Sequence, residues 1–221
     1  MNRNKKIIVT SDASGAWQAA HEGMLVMIVD VIDMSTALES ALDAGAFAVL
    51  GASPDVSRAP VRLNPEQIAR EAVFLAKESG SGIVLLAEPR AGTEEERIAR
   101  CRKVIRTIEA EHGLIEAILP NIGAEIPKMA DMKNRVVLAV TDTGGVAYDA
   151  AFSESHDVIT GTVARTLGQK GLQPALTAVH RARETLKESH SGIAVVAASR
   201  NSMEDILAAQ FISNLLLNKD L

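Results

Sequence analysis

Short apolar runs recur along the chain, and polar residues followed by helical spacing separate them. The longest run, MLVMIVDVI at positions 24–32, is rich in β-branched residues and holds a single charge, Asp30. Such a run predicts a strand covered on both faces, as in a parallel sheet. Further runs predict strands at 6–10, 46–50, 83–87, 114–119, 135–140, 157–160 and 192–198.

Helical periodicity follows most of these strands. Thr36 with Glu39 predicts a capping box at the start of the first clear helix, which ends at Gly45. Other helices are predicted at 64–79, 93–112, 146–152, 174–188 and from Ser202 onward, with a helical turn at 17–21 and loops at 51–63 and 120–127. This alternation predicts one α/β domain over residues 1–221, with three α/β/α layers and a mostly parallel central sheet, a mixed sheet being the alternative.

Composition narrows the classes of function. The chain is 47% apolar, its net charge is −5 and no basic run occurs, so we expect neither a nucleic-acid nor a membrane partner. A single cysteine, Cys101, excludes an internal disulfide and favours a cytoplasmic location. Histidine spacing typical of metal sites is absent, as are a nucleophile elbow, a Walker loop and a dinucleotide fingerprint.

Polar residues collect where predicted strands end. Because the carboxyl ends of parallel strands share one edge of a sheet, we expect these residues to lie together. Carboxylates there can hold Mg²⁺, while arginines and helix N-termini can hold a phosphate, which suits metal-assisted phosphoester chemistry. Taken singly, each residue also fits a helix cap or a tight turn. The candidates are Asp30, Asp33, Ser35 and Thr36; Glu88 and Arg90; Thr141, Asp142, Thr143 and Gly144; Gly161 and Thr162; and Arg200, Glu204 and Asp205.

Six segments, in order, resemble the 2-phosphosulfolactate phosphatases of coenzyme M biosynthesis. VDVIDMSTALESALDAGA resembles the family's DVLRASTT segment, and VVLAVTDTGGVAYDAA resembles its TTNGTRAL motif. VLLAEPRAG is similar to the GERGG strand end, and LPNIGAEI lies where the family has GNSP. DVITGTVA and VVAASRNSMEDILAAQFISNLL resemble the next turn and the closing helix with its Glu-Asp pair.

The resemblance implies a magnesium-dependent phosphatase with an α/β/α fold that acts on a small anionic phosphoester. Asp30, Glu204 and Asp205 are then the expected Mg²⁺ ligands, and either water or a carboxylate such as Asp30 attacks phosphorus. Asp33 and Asp142 are further catalytic candidates. The expected substrate-binding residues are Ser35, Thr36, Glu88, Arg90, Thr141, Thr143, Gly144, Gly161, Thr162 and Arg200.

Departures from the family pattern fall on polar positions. Asp33 stands where the family has arginine, Asp142 and Glu125 add carboxylates, and Gly145 replaces a threonine. These changes indicate a substrate other than the family's own. They leave two alternatives to a phosphatase: a binding or assembly protein without hydrolysis, and a protein whose added acids bind a cationic or metal-rich ligand. The charged helix 93–112 is expected mainly to face solvent, and contacts between copies of the chain in a homo-oligomer are the alternative.

Overall fold

The computed structural model describes residues 5–218, in which eight strands and eight α-helices largely alternate along the chain. The strands are β1 (Lys6–Ser11), β2 (Leu25–Val29), β3 (Ala48–Ala52), β4 (Ile83–Ala87), β5 (Ile115–Pro120), β6 (Val136–Val140), β7 (Val158–Gly161) and β8 (Gly192–Ala197). The helices are α1 (Asp12–His21), α2 (Met34–Asp43), α3 (Pro65–Ser79), α4 (Glu94–Arg100), α5 (Arg102–Ala110), α6 (Gly144–Phe152), α7 (Gln173–Thr185) and α8 (Met203–Leu217). A 3₁₀ helix spans Gly123–Lys128.

The strands form two sheets in which every pairing is parallel. One sheet has the order β1-β8-β2-β7 and the other β3-β6-β4-β5. The predicted α/β class with α/β/α layers is therefore confirmed, with parallel rather than mixed strand directions. The single central sheet of the prediction is divided into two sheets of four strands each.

Side chains alternate between the two faces of the first sheet, and those on both faces are apolar. Helices therefore cover both faces. Val26 and Ile28 of β2 pack into the core that includes α1, α2 and α6. Leu25 and Met27 point to the opposite face, where they pack with α7 and α8. Helices α2 and α6 also contact β3 of the second sheet, so they lie between the two sheets, and α3 packs on β3, β4 and β6.

Several predicted boundaries differ from the observed ones, and for the helix predicted at 93–112 the structure gives the reason. The predicted helix 93–112 is broken at Cys101, because the loop before α3 bonds to the backbone there. Asp55 donates its backbone N–H to Arg100 O at 2.9 Å, and its carboxylate accepts the Lys103 N–H at 3.1 Å. The third strand starts at Ala48 rather than 46, α1 is a full helix rather than one turn, and the loop predicted at 120–127 contains the 3₁₀ helix.

The predicted capping box of Thr36 and Glu39 is also wrong, because both side chains are hydrogen-bonded to other groups. Helix α2 starts at Met34, so Thr36 lies inside it and donates its hydroxyl to Val31 O at 2.5 Å. Glu39 is buried, binds Arg181 and accepts the Thr160 hydroxyl at 2.7 Å. A hydrogen-bonding pattern set by tertiary contacts therefore replaces the local one.

Candidate functional site

Asp30 is the best-buried carboxylate among the predicted site residues, with 2% of its surface exposed. It follows β2 directly and accepts three hydrogen bonds, from Asp33 N at 2.9 Å, Thr143 Oγ1 at 2.8 Å and Gly144 N at 2.7 Å. Burial raises the pKa of Asp30, and these hydrogen bonds only partly oppose the effect. The protein therefore holds a desolvated carboxylate in a fixed orientation.

The Asp30 carboxylate lies at the N-terminus of α6. Gly144 is its first residue, and a Cβ added there would overlap the Asp30 carboxylate and the Met34 side chain. Thr141 accepts the next free N–H, that of Gly145, at 2.8 Å. Helix N-termini attract anions, and here the anion is a side chain of the protein itself. Thr141, Thr143 and Gly144 thus lie together with Asp30 as predicted, although β2 and β6 belong to different sheets and do not share one sheet edge.

The other hydroxyls predicted to bind substrate make hydrogen bonds within the protein. Ser35 donates to Ile28 O at 2.9 Å and accepts the Asp30 N–H at 3.0 Å. Thr36 and Thr162 contact each other through their hydroxyl oxygens at 2.8 Å, and both are buried. These bonds shape the turn that carries Asp30. Gly161, at the end of β7, leaves room for the side chains of Met27 and Ala178.

Two arginines neutralise the added acids beside Asp30. Arg90 forms an ion pair with Asp33, and Arg100 forms one with Asp142 and approaches Glu88 at 4.0 Å. Burial, followed by the charges of Asp33 and Asp142, raises the pKa of Glu88 to about 7. Glu88 is therefore a carboxyl group that exchanges its proton near neutral pH.

The predicted metal ligands are only partly brought together. Asp205 accepts the Val31 N–H at 2.9 Å, and burial raises its pKa to about 6, with the Asp30 charge contributing. Glu204 is exposed and accepts a hydrogen bond from Ser202 at 3.3 Å. Within residues 5–218, no group of three or more His, Cys, Asp or Glu side chains is arranged to hold a metal ion.

An open pocket of about 310 Å³ lies beside this cluster. Its wall is formed by the ends of β1, β6 and β8 and by the loop before α3. Thr143, whose hydroxyl binds Asp30, lines the pocket and joins it to the buried carboxylate. The polar lining includes Asp12, Ser14, Arg58, Asp142, Thr143 and Arg200.

Asp12, Ser14 and Arg58 are pocket residues that the sequence reading missed. Asp12 has a left-handed backbone (φ 61°), and its carboxylate accepts the Arg200 N–H at 2.8 Å and binds the Arg200 guanidinium. Asp12 and Ser14 share one signal in the sequence, because both lie within three residues of the end of β1. The rule that polar residues after a strand are site candidates therefore applies to them as well. Arg58 lies in a loop and carries no such signal.

No known family model, curated protein or solved structure matches this chain. The resemblance to 2-phosphosulfolactate phosphatases therefore stays a prediction based on the six segments. None of the helices in the described part of the chain is both long and apolar enough to cross a membrane.

Proposed function

We propose that the protein is a magnesium-dependent hydrolase of a small anionic phosphoester, which binds in the pocket beside Asp30. The main support is the position of Asp30, a desolvated carboxylate that shares Thr143 with the pocket wall. Perturbed carboxyl groups next to a cavity are typical of active sites. The six resembling segments point to the same reaction class.

The donor set fits Mg²⁺ in part. Mg²⁺ commonly uses one or two protein carboxylates together with substrate phosphate oxygens and water, so a three-carboxylate group is not required. Asp30 and Asp205 are the two candidates, because burial raises the pKa of each and the Asp30 charge raises that of Asp205 further. A nearby cation would relieve this unfavourable charge. When bound, Mg²⁺ supplies charge stabilisation for the phosphoryl oxygens.

The protein's own residues would then orient the ester and transfer protons. Arg200 and Arg58, on the pocket wall, would attract the anionic substrate. Asp30 is buried behind Thr143, so it would accept the proton of the attacking water through the Thr143 hydroxyl that lines the pocket. Glu88, next to Asp142 of the pocket wall, has a pKa suited to donating a proton to the leaving oxygen as the P–O bond breaks.

Phosphate release from a panel of small phosphomonoesters tests the proposal. We expect turnover of at least one ester with Mg²⁺ and loss of turnover with a chelator. The panel should include esters with a second carboxylate or sulfonate group, because two arginines line the pocket. Absence of magnesium-dependent turnover across the panel would reject the proposal.

A binding or assembly protein without hydrolysis is the second candidate. The ion pairs of Arg90 with Asp33 and of Arg100 with Asp142 favour it, because they neutralise two arginines that could hold a phosphate. Thermal shifts distinguish the candidates. Stabilisation by anions without turnover would favour the binding protein, whereas stabilisation by divalent or organic cations alone would favour a cationic ligand.

A further inference from the structure

Arg58 is a cation of the pocket wall that no acid within residues 5–218 pairs with. Arg200, on the same wall, is bound by Asp12, whereas Arg58 has no hydrogen bond or ion pair within the described residues. Its side chain is exposed next to the cavity. An anionic group that enters the pocket would therefore meet Arg58 as its available charged partner.

The loop that carries Arg58 is fixed at both ends by one buried carboxylate. Asp149 of α6 has 1% of its surface exposed. One of its oxygens accepts the Ser53 N–H at 3.3 Å and the Ser53 hydroxyl, and the other accepts the Asn64 N–H at 2.6 Å. Residues 53 and 64 lie on either side of the segment that contains Arg58, so Asp149 fixes the positions of both ends of that segment.

The same helix links this anchor to the pocket. The first residue of α6, Gly144, binds Asp30, Val146 lines the cavity, and Asp149 holds the loop. Burial raises the pKa of Asp149, which the hydrogen bonds from Ser53 and Asn64 oppose. Burying a carboxylate is costly unless it is hydrogen-bonded, and the bonds that satisfy Asp149 all come from the two ends of the Arg58 loop.

We propose that Arg58 binds the anionic group of the pocket's ligand and that Asp149 is a positioning residue that holds the Arg58 loop against the pocket. This inference rests on the small anionic ligand of the proposed function. Of the two arginines on the pocket wall, it assigns the anionic group to Arg58, and it adds the anchor that places this residue. It does not require hydrolysis.

Binding of inorganic phosphate, measured by calorimetry without Mg²⁺, tests the role of Arg58. We expect Arg58→Gln to weaken binding about three- to tenfold and Arg58→Lys, which keeps the charge, to weaken it less. Arg62→Gln is the matched control, because Arg62 is an exposed arginine of the same loop that does not line the pocket. Unsaturable binding by the wild type, or equal effects of Arg58→Gln and Arg62→Gln, would overturn the inference.

Hydrogen exchange tests the role of Asp149. In Asp149→Asn, and in the milder Ser53→Ala, we expect faster exchange at Asn64 and weaker phosphate binding, while Arg58→Gln weakens binding without changing exchange. The Ser53→Ala variant keeps the test valid if Asp149→Asn does not fold. Faster exchange with wild-type phosphate affinity would show that the anchor is structural only and would overturn the positioning role. Because turnover is not measured, failure of the phosphatase proposal is a separate result.

Discussion

The Asp30 carboxylate accepts a 2.7 Å hydrogen bond from the backbone N–H of Gly144, 114 positions further along the chain. Asp30 follows β2 of one sheet, and Gly144 starts the helix that follows β6 of the other. This contact therefore forms only when both sheets have assembled around α6. It makes the stability of the sheet-to-sheet packing and the geometry of the site depend on each other.

Gly144→Ala tests that contact. The added Cβ would overlap the Asp30 carboxylate and Met34, so either the helix start or the β2 turn must shift. We expect a loss of about 1–3 kcal/mol in the free energy of unfolding, measured with urea.

Gly168→Ala is the control for this variant. A Cβ there would lie 3.5 Å from the nearest atom, an oxygen of Asp43, which is an ordinary contact. Its free energy of unfolding should stay within about 0.5 kcal/mol of the wild type. Equal stability of the two alanine variants would contradict a tight contact at Gly144.

Asp33→Asn tests whether the added acid blocks an anion-binding arginine. The change removes the charge that pairs with Arg90 and keeps the shape of the side chain. We expect phosphate affinity to rise about two- to fivefold, because Arg90 becomes available. Glu78→Gln, at an exposed position of α3, makes the same change in net charge. An equal rise in both variants would mean that net charge, rather than Arg90, is responsible.

Glu88 should make the protein less stable as pH rises. Its pKa is raised from an ordinary 4.5 to about 7, so the folded state holds a proton that the unfolded state releases between these values. The stabilisation is therefore complete below pH 4.5 and is lost as pH rises through 7. We expect Glu88→Gln to remove about 1–3 kcal/mol of this decline in the free energy of unfolding.

Urea unfolding of both proteins at several pH values from 4.5 to 8 measures the effect. Asp142→Asn should have a smaller effect of the same sign, since Asp142 is one of the charges that raise the Glu88 pKa. Parallel pH profiles for wild type and Glu88→Gln would show that the Glu88 pKa is not raised.

The strands were predictable because a strand buried on both faces is a short, nearly continuous run of apolar residues in the sequence. The run from Met24 to Ile32 predicted β2, and Ile83–Ala87 was predicted with the bounds that the structure has. The division into two sheets was not predictable, since the strand order depends on pairings between distant residues, such as that of β1 with β8. Local patterns determine strands, whereas the topology comes from packing.

The candidate site was predictable only as a set of strand ends. Asp30, Thr143 and Gly144 do lie together, but β2 and β6 belong to different sheets, so the packing of the two sheets around α6 brings these residues together rather than a shared sheet edge. The pairing of Asp33 with Arg90 joins residues 57 positions apart, and no local pattern predicts it. Arg58 lies in an irregular loop whose position depends on the buried Asp149, so sequence reading had no reason to select it.

Turnover of the best phosphoester by Asp30→Asn, compared with the wild type, tests the central claim most directly. Asparagine keeps the size of the side chain and removes the charge, but its NH2 group must replace one oxygen that accepts a backbone N–H. Circular dichroism and the unfolding midpoint would therefore establish that the variant is folded. We expect magnesium-dependent phosphate release to fall about a hundredfold or more. A folded Asp30→Asn variant that releases phosphate at the wild-type rate would contradict a phosphatase centred on Asp30.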